Sequence, residues 1–256
     1  MIVETEAVVL HAMNYRDTSK IVTLYSRKFG KIKVIAKGTR NQKTNKFGSS
    51  LEPMTLSSVV LYKKEHRDLH LLSKSEIVTP LSRLQDDSER MFTGLSLIEL
   101  VNMVMHDEEE NELIFLLLAE SLKQIDTAPK NVVNVLIAFM VKLFQQFGFG
   151  LSVDECVQCG RRTEKENFSS AFLRLSDGKY ICSDCSKEGL VSGTRISGEV
   201  LKMLHYMQMH GIEQSAILDI PIKNCVEILA TSQAYLRYHI EGTRTLKSLS
   251  LLYSTK

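Results

Sequence analysis

The sequence predicts an α+β protein of several domains: a small N-terminal β-barrel, a central and C-terminal α-helical domain, and a four-cysteine module inserted into it. Three observations predict this. Hydrophobic spacing has period two before Pro80 and period three to four after Ser88. Two CxxC pairs lie 22 residues apart. Charge is segregated along the chain: residues 1–80 hold fourteen Lys and Arg against seven Asp and Glu, net +7, residues 81–148 are −6, and residues 149–256 are +1. The 256 residues, 44% hydrophobic and 24% charged, fit two or three globular domains and disfavour a disordered or fibrous chain.

Residues 1–80 read as strands. Ala7–Leu10, Ile21–Tyr25, Ile32–Ala36, Leu56–Tyr62 and Leu69–Leu72 are short and rich in β-branched residues, and turn residues lie between them (Asn14, Gly30, Gly38, Gly48 to Ser50, Pro53). Five such strands suit a small closed barrel. Residues 81–148 read as helices, the first two carrying Met91, Leu95 and Ile98, then Leu113, Leu116 and Leu117. The third, from Val132 to Phe147, is apolar almost all round and belongs at the centre of a bundle. Residues 149–191 form the cysteine module. In residues 192–256, Ser197 caps a helix running to His210, and a last helix follows Pro221 from Ile222 to about Gly242.

Cys156-Val157-Gln158-Cys159 and Cys182-Ser183-Asp184-Cys185 have the spacing of a tetrahedral thiolate site, with Gly160 easing the first turn and Ser176-Asp177-Gly178 turning a hairpin between the pairs. Disulfides, a redox pair and an iron–sulfur centre are the alternatives. Structural zinc, one ion per chain, is preferred to all three, because no export signal precedes the cysteines and no βαβ unit surrounds them. Met1 to Glu6 lacks a basic region, so no secretory leader is expected; Val132 to Phe144, interrupted by Asn134 and Lys142, falls short of the ~20 residues of a membrane span. A cytoplasmic location follows as an expectation. Cys225 reads as a buried free thiol.

From Arg16 to Lys46 there are ten basic residues and one acid, Asp17. Period two puts Ile32, Val34 and Ala36 on one strand face and Lys31 and Lys33, continuing to Lys37, on the other. A row of like charges of this kind asks for an anion, and nucleic acid is preferred to a merely solvated face. Phe47 beside Lys46 is read as a residue able to stack on a base, Tyr25 and Phe29 as core. Asp107-Glu108-Glu109-Glu110 reads as a solvated turn between helices rather than a cation site. No P-loop, GxSxG or HExxH is present, and His66 and His70 would lie ~13 Å apart on a strand.

The order of modules resembles the RecO family of bacterial DNA repair proteins over nearly the whole chain. The resemblance is sharpest in Asp17-Thr18-Ser19-Lys20-Ile21-Val22-Thr23-Leu24-Tyr25, Phe29-Gly30-Lys31, Ala36-Lys37-Gly38-Thr39-Arg40 and Phe47-Gly48-Ser49-Ser50-Leu51-Glu52-Pro53. Tyr238-His239-Ile240-Glu241-Gly242 and Leu246-Lys247-Ser248-Leu249 resemble the family's C-terminal helix and tail. The resemblance implies an OB-fold for residues 1–80 and a non-enzymatic recombination mediator without catalytic residues, associated with the nucleoid. Such a protein binds single- and double-stranded DNA, anneals complementary strands, and with RecR helps load RecA onto DNA coated by single-strand-binding protein, whose acidic C-terminal tail contacts the helical block. Within that block only Arg83, Arg90, Lys123, Lys130 and Lys142 are basic. The implied DNA-binding residues are Lys37 and Arg40, supported by Lys20, Lys31 and Lys33; Arg16, Arg27, Lys43 and Lys46 complete the basic set. Two other readings of the residues stay open: an RNA-binding or transcription accessory factor built from a barrel and a zinc ribbon, and a nuclease-like enzyme using the acidic run with Mg²⁺.

Overall fold

The computed structural model describes residues 1–39, 46–64, 67–188 and 193–254. The chain forms two compact units, one of residues 1–127 with 246–256 and one of residues 128–245.

The first unit begins with five strands: β1 (Ile2–Tyr15), β2 (Ser19–Ser26), β3 (Gly30–Ala36), β4 (Leu56–Tyr62) and β5 (Leu69–Thr79). They close into a barrel in the order β1-β2-β3-β5-β4, with β3 and β5 parallel and all other pairs antiparallel, which is the OB-fold arrangement. β1 pairs with β4 along one half and with β2 along the other, and a register shift between Val9 and His11 marks the bend between them. Alternation fills the interior with Ala7, Val9, Val22, Leu24, Ile32, Val34, Ala36, Val59, Leu61 and Leu72. Phe47 and Leu51 join this core, so the reading of Phe47 as a base-stacking residue is wrong. The Ser50 hydroxyl donates to the Phe47 carbonyl at 2.6 Å and folds the ring inward.

Two helices follow, α1 (Ser88–Val104) and α2 (Glu112–Thr127). Asp87 caps α1 by accepting the Arg90 N–H at 2.8 Å, and Asn111 caps α2 by accepting the Ile114 N–H at 3.1 Å. Arg90 itself is buried, holding Asp87 and the carbonyl of Ile125, which removes it from the basic residues available to a partner.

The second unit is built on α3 (Val133–Gln146), the apolar helix, which packs against α4 (Gly198–Met209), α5 (Ile212–Ala216) and α6 (Ile222–His239). Its buried Asn134 is satisfied by donating to the Leu218 carbonyl at 2.8 Å. Three short strands, β6 (Ser170–Leu173), β7 (Tyr180–Cys182) and β8 (Thr194–Ser197), make an antiparallel sheet ordered β7-β6-β8. Ser197 caps α4 as its sequence suggests, accepting the Val200 N–H at 3.3 Å, and Cys225 is buried.

The chain then returns to the first unit as α7 (Lys247–Ser254), a helix that hydrophobic spacing did not announce. It packs on α1, with Leu246, Leu249 and Leu252 buried. Both oxygens of Glu99 on α1 accept its first N–H groups, from Lys247 at 3.0 Å and Ser248 at 2.9 Å. The two units therefore cut across the four segments drawn from sequence: α1, α2 and α7 pack with the barrel, and α3 packs with the cysteine module and α4 to α6. Among the described residues no helix is long and apolar enough to cross a membrane. We expect Leu249→Ala to cost roughly 2–4 kcal/mol through the cavity it leaves, and Glu99→Ala about 1 kcal/mol through the lost cap. Thermal melts of the full chain would measure both.

Candidate nucleic-acid face and metal centre

Lys31 and Lys33 point outward from β3 as period two requires, opposite Tyr25 and Thr23 of β2. The anion they call for is already in the chain. Asp107, in the turn between α1 and α2, places one carboxylate oxygen 3.3 Å from Lys31 Nζ and the other 2.9 Å from Lys33 Nζ. Lys31 Nζ also donates to the Asn102 carbonyl at 3.0 Å. Next to it, Glu108 binds Lys63 at 2.7 Å and approaches the ring of buried His70 at 3.3 Å. The acidic run is thus a turn between helices, as its sequence suggests, but two of its carboxylates are engaged by the barrel.

Backbone contacts fix this docking. The Glu108 N–H donates to the Lys31 carbonyl at 2.8 Å, and Lys31 and Asp107 pair as an isolated parallel bridge. Gly30, at φ +60°, is what allows the approach: a Cβ there would lie 1.9 Å from the Glu109 carbonyl oxygen. Tyr25 is fully buried, its hydroxyl donating to the Asn111 carbonyl at 3.4 Å, and burial pushes its pKa well above the usual phenol value.

The rest of the basic set divides by geometry. Lys20, in register with the inward Ala36 of β3, pairs with Glu52 at 2.8 Å. Arg27 is held by Glu6 at 3.2 Å and Glu112 at 2.6 Å. Lys37 and Lys46 are exposed, with no carboxylate partner among the described residues; Lys46 Nζ stands over the Phe47 ring. Arg16 stacks on Tyr15 in the β1–β2 turn, and the Thr39 N–H donates to the Thr18 carbonyl at 2.9 Å, bringing the segment after β3 beside that turn. Arg40 and Lys43, and His66 in the β4–β5 connection, lie outside the described residues. Lys63, Lys64 and Arg67 in or beside that connection add cations that sequence reasoning passed over, because they fall outside the dense Arg16–Lys46 run.

The four cysteines come together in the second unit. The Sγ atoms of Cys156, Cys159, Cys182 and Cys185 all lie within 4.8 Å of one another, so they can hold one metal ion. The first pair sits on a turn closed by the Gly160 N–H donating to the Cys156 carbonyl at 2.9 Å, with Gly160 at φ +68°. The second follows β7, and the Cys182 N–H points at Cys156 Sγ, 3.3 Å away. Arg161, which sequence reading did not single out, donates to Cys159 Sγ at 3.4 Å and Cys182 Sγ at 3.5 Å. Asp184 at 2.7 Å and the Phe168 ring hold the guanidinium there. Its hydrogen bond pulls the Cys159 thiol down to about 6, whereas the neighbouring thiols, led by Cys159, push Cys185 up to about 12.

The acidic turn makes a pH prediction. Burial opposes the charge of Asp107, but the hydrogen bond from Lys33 and the field of Lys31 outweigh it and hold the carboxyl below its ordinary value. Glu108 is lowered chiefly by the hydrogen bond from Lys63. A lowered folded-state pKa contributes stability that is present above the unfolded value, ~4, and is lost as pH falls through the folded value. The melting temperature of the protein should therefore drop in acid below about pH 4, and Asp107→Asn should flatten part of that drop. A pH series of thermal melts followed by circular dichroism checks this.

Comparison with known proteins matches the chain along nearly its whole length. The family model described as Recombination protein O N terminal matches residues 1–81, and the one described as Recombination protein O C terminal matches residues 85–250. The DNA repair protein RecO of Chloroherpeton thalassium is 28% identical over 251 residues, covering 97% of this chain and 96% of that one. The protein of the same name from Salinibacter ruber is 36% identical over 183 residues, 72% and 68% of the two chains. A third, from a Thermoanaerobacter species, is 25% identical over 246 residues, 94% and 93% of the two. With a closed five-strand barrel, a helical remainder, a four-cysteine cluster and matches along nearly its full length, the chain belongs to the RecO family.

Proposed function

We propose that this protein is a non-enzymatic DNA repair and recombination mediator: it binds single- and double-stranded DNA through its barrel and anneals complementary strands. With RecR it would help to load RecA onto DNA covered by single-strand-binding protein, in the cytoplasm and at the nucleoid. Family membership supports the role. The observation that carries DNA binding is the outer face of β2 and β3, the ligand face of OB-folds. Its Lys33 is half exposed, and Lys37 beyond it is exposed and unpaired among the described residues. Arg16, Lys20, Lys46, Arg40 and Lys43 extend the same basic stretch of sequence. Lys20, Arg27 and Lys31, each tied to a carboxylate and less exposed than Lys33, are secondary members of this set.

We infer structural zinc at Cys156, Cys159, Cys182 and Cys185. Four thiolates at ~2.3 Å from one zinc stand ~3.8 Å apart at the edges of the tetrahedron, and Cys159 Sγ to Cys182 Sγ is 3.8 Å. Four protein ligands leave no open position, so the ion supplies stability rather than chemistry. Metal analysis of protein purified without chelator should find one zinc per chain. Cys159→Ser should lose it and lower the melting temperature of the second unit while the barrel stays folded. Clearly less than one ion, or iron in its place, would refute the assignment.

DNA binding is tested by salt. With Lys31 and Lys33 engaged by Asp107, about three or four side chains remain for phosphates, so log K against log salt for single strands should slope roughly −2 to −3. Lys37→Glu with Arg40→Glu should weaken binding of all sequences alike and flatten the slope, since phosphate contacts carry no base information. The same variant should lose annealing of complementary oligonucleotides in the absence of nucleoside triphosphate. A folded double variant with unchanged affinity and slope would overturn the reading. RNA bound more tightly than DNA at equal salt, or Mg²⁺-dependent cleavage, would point to one of the other two functions.

A further inference from the structure

We propose that the turn between α1 and α2 is a built-in competitor for nucleic acid, with the Asp107 carboxylate standing where a phosphate would otherwise sit. This rests on the reading of the barrel as a DNA-binding module. In an OB-fold the outer face of strands 2 and 3 is where an oligonucleotide lies. Here one end of that face, Tyr25 with Lys31 and Thr23 with Lys33, is occupied by the acidic turn. Asp107 offers Lys31 one oxygen and Lys33 the other, at 3.3 and 2.9 Å, as two oxygens of a phosphate would.

The competition is one of side chains rather than of the whole turn. The Glu108 N–H to Lys31 carbonyl bond, the Lys31–Asp107 bridge and the close approach at Gly30 keep the backbone seated. The Asp107 side chain, however, is 51% exposed and that of Lys33 is 46% exposed. An ion pair so open to water is weak and screened by salt, so a phosphate can take Lys33 while Asp107 swings to solvent. Lys31 is held more firmly, through the Asn102 carbonyl as well. Even after it swings away, the carboxylate remains near the track and repels the polyanion.

Charge counts point the same way. Residues 1–80 carry net +7, yet the first unit as a whole, residues 1–127 with 246–256, carries net +1, because the helices around the acidic turn cancel the barrel. The protein thus presents to DNA a basic track that its own chain has shortened at one end. Its affinity is set by Lys37 and the residues beyond the turn, and Lys33 is held in reserve.

The test compares wild type with Asp107→Asn in the full chain, titrating a fluorescent single-stranded oligonucleotide over a range of salt. Freeing one or two cations should steepen the salt slope by ~0.7–1.4 and tighten binding about three- to tenfold at low salt. Asp107→Ser, a small polar side chain suited to a turn, should do the same. Glu76→Gln removes an equal charge from β5 where it pairs with β4, away from β3, and should do distinctly less. Folded Asp107 variants that match wild type or Glu76→Gln in affinity and slope overturn the proposal. A wild type that does not bind, or binds equally well with Lys37→Glu and Arg40→Glu, defeats instead the reading of the barrel on which it rests.

Discussion

The docking of one acidic turn on one barrel strand organises the first unit. Asp107 and Glu108 bind Lys31, Lys33 and Lys63, and the Glu108 N–H binds the Lys31 carbonyl. Each ion pair is partly exposed and worth little alone, on the order of 0–1 kcal/mol. Their effect comes from being tied to a backbone contact that Gly30 alone permits. Because the turn joins α1 to α2, seating it orients both helices on the barrel. Because its charges lie on β3, seating it also decides which lysines still face solvent. Stability and the charge left exposed on the outer face of β2 and β3 are set by the same few atoms.

That coupling explains what was legible in the sequence and what was not. Period two named the inward residues of β3 and the outward lysines correctly, since alternation is a property of the strand itself. It could not name what those lysines face, because Asp107 lies 74 residues from Lys33 and only the fold brings them together. Phe47 was misread for a similar reason. Beside Lys46 it looks like a stacking platform, but Ser50 and Ser57 turn its loop back by accepting and donating bonds along 47–57, and the ring fills the barrel. The cysteine cluster was readable because metal chemistry restricts residue type and spacing more tightly than packing does. β8 and α7 were not: four and eight residues are too short to carry a period, and each forms only against a neighbour, β6 for one and α1 with its Glu99 for the other.

The connectivity also differs from a simple string of modules. Residues 128–245 leave the first unit after α2 and return to it at α7, so the second unit is an insertion between two elements that pack with α1. Its own centre is α3, which runs buried among α4, α5 and α6 with nearly every side chain covered. An apolar helix of that kind needs partners on all sides. The sequence block that first seemed to end at Gly148 is therefore split: its acidic part serves the barrel and its apolar part serves the insertion. The acidity of residues 81–148 comes from the first of these parts, which carries −8, since residues 128–148 hold no acid and only Lys130 and Lys142, the latter donating to the Gln208 carbonyl at 2.8 Å.

The cysteine centre belongs to a sheet that could not stand on its strands alone. Strands of four, three and four residues give too few ladder bonds and too little covered surface for independent stability. A bound cation would change that, because four ligands drawn from two turns would close the loop between Cys159 and Cys182 and add binding free energy to folding. The four-cysteine cluster meets a guanidinium: Arg161 spans Cys159 and Cys182, with Asp184 and Phe168 fixing its plane. Donors on thiolate sulfur spread the negative charge and favour the ionised form that a metal needs. The residue that follows Gly160 thus completes the turn that Gly160 begins, and the motif extends from Cys156 to Arg161 rather than stopping at the second cysteine.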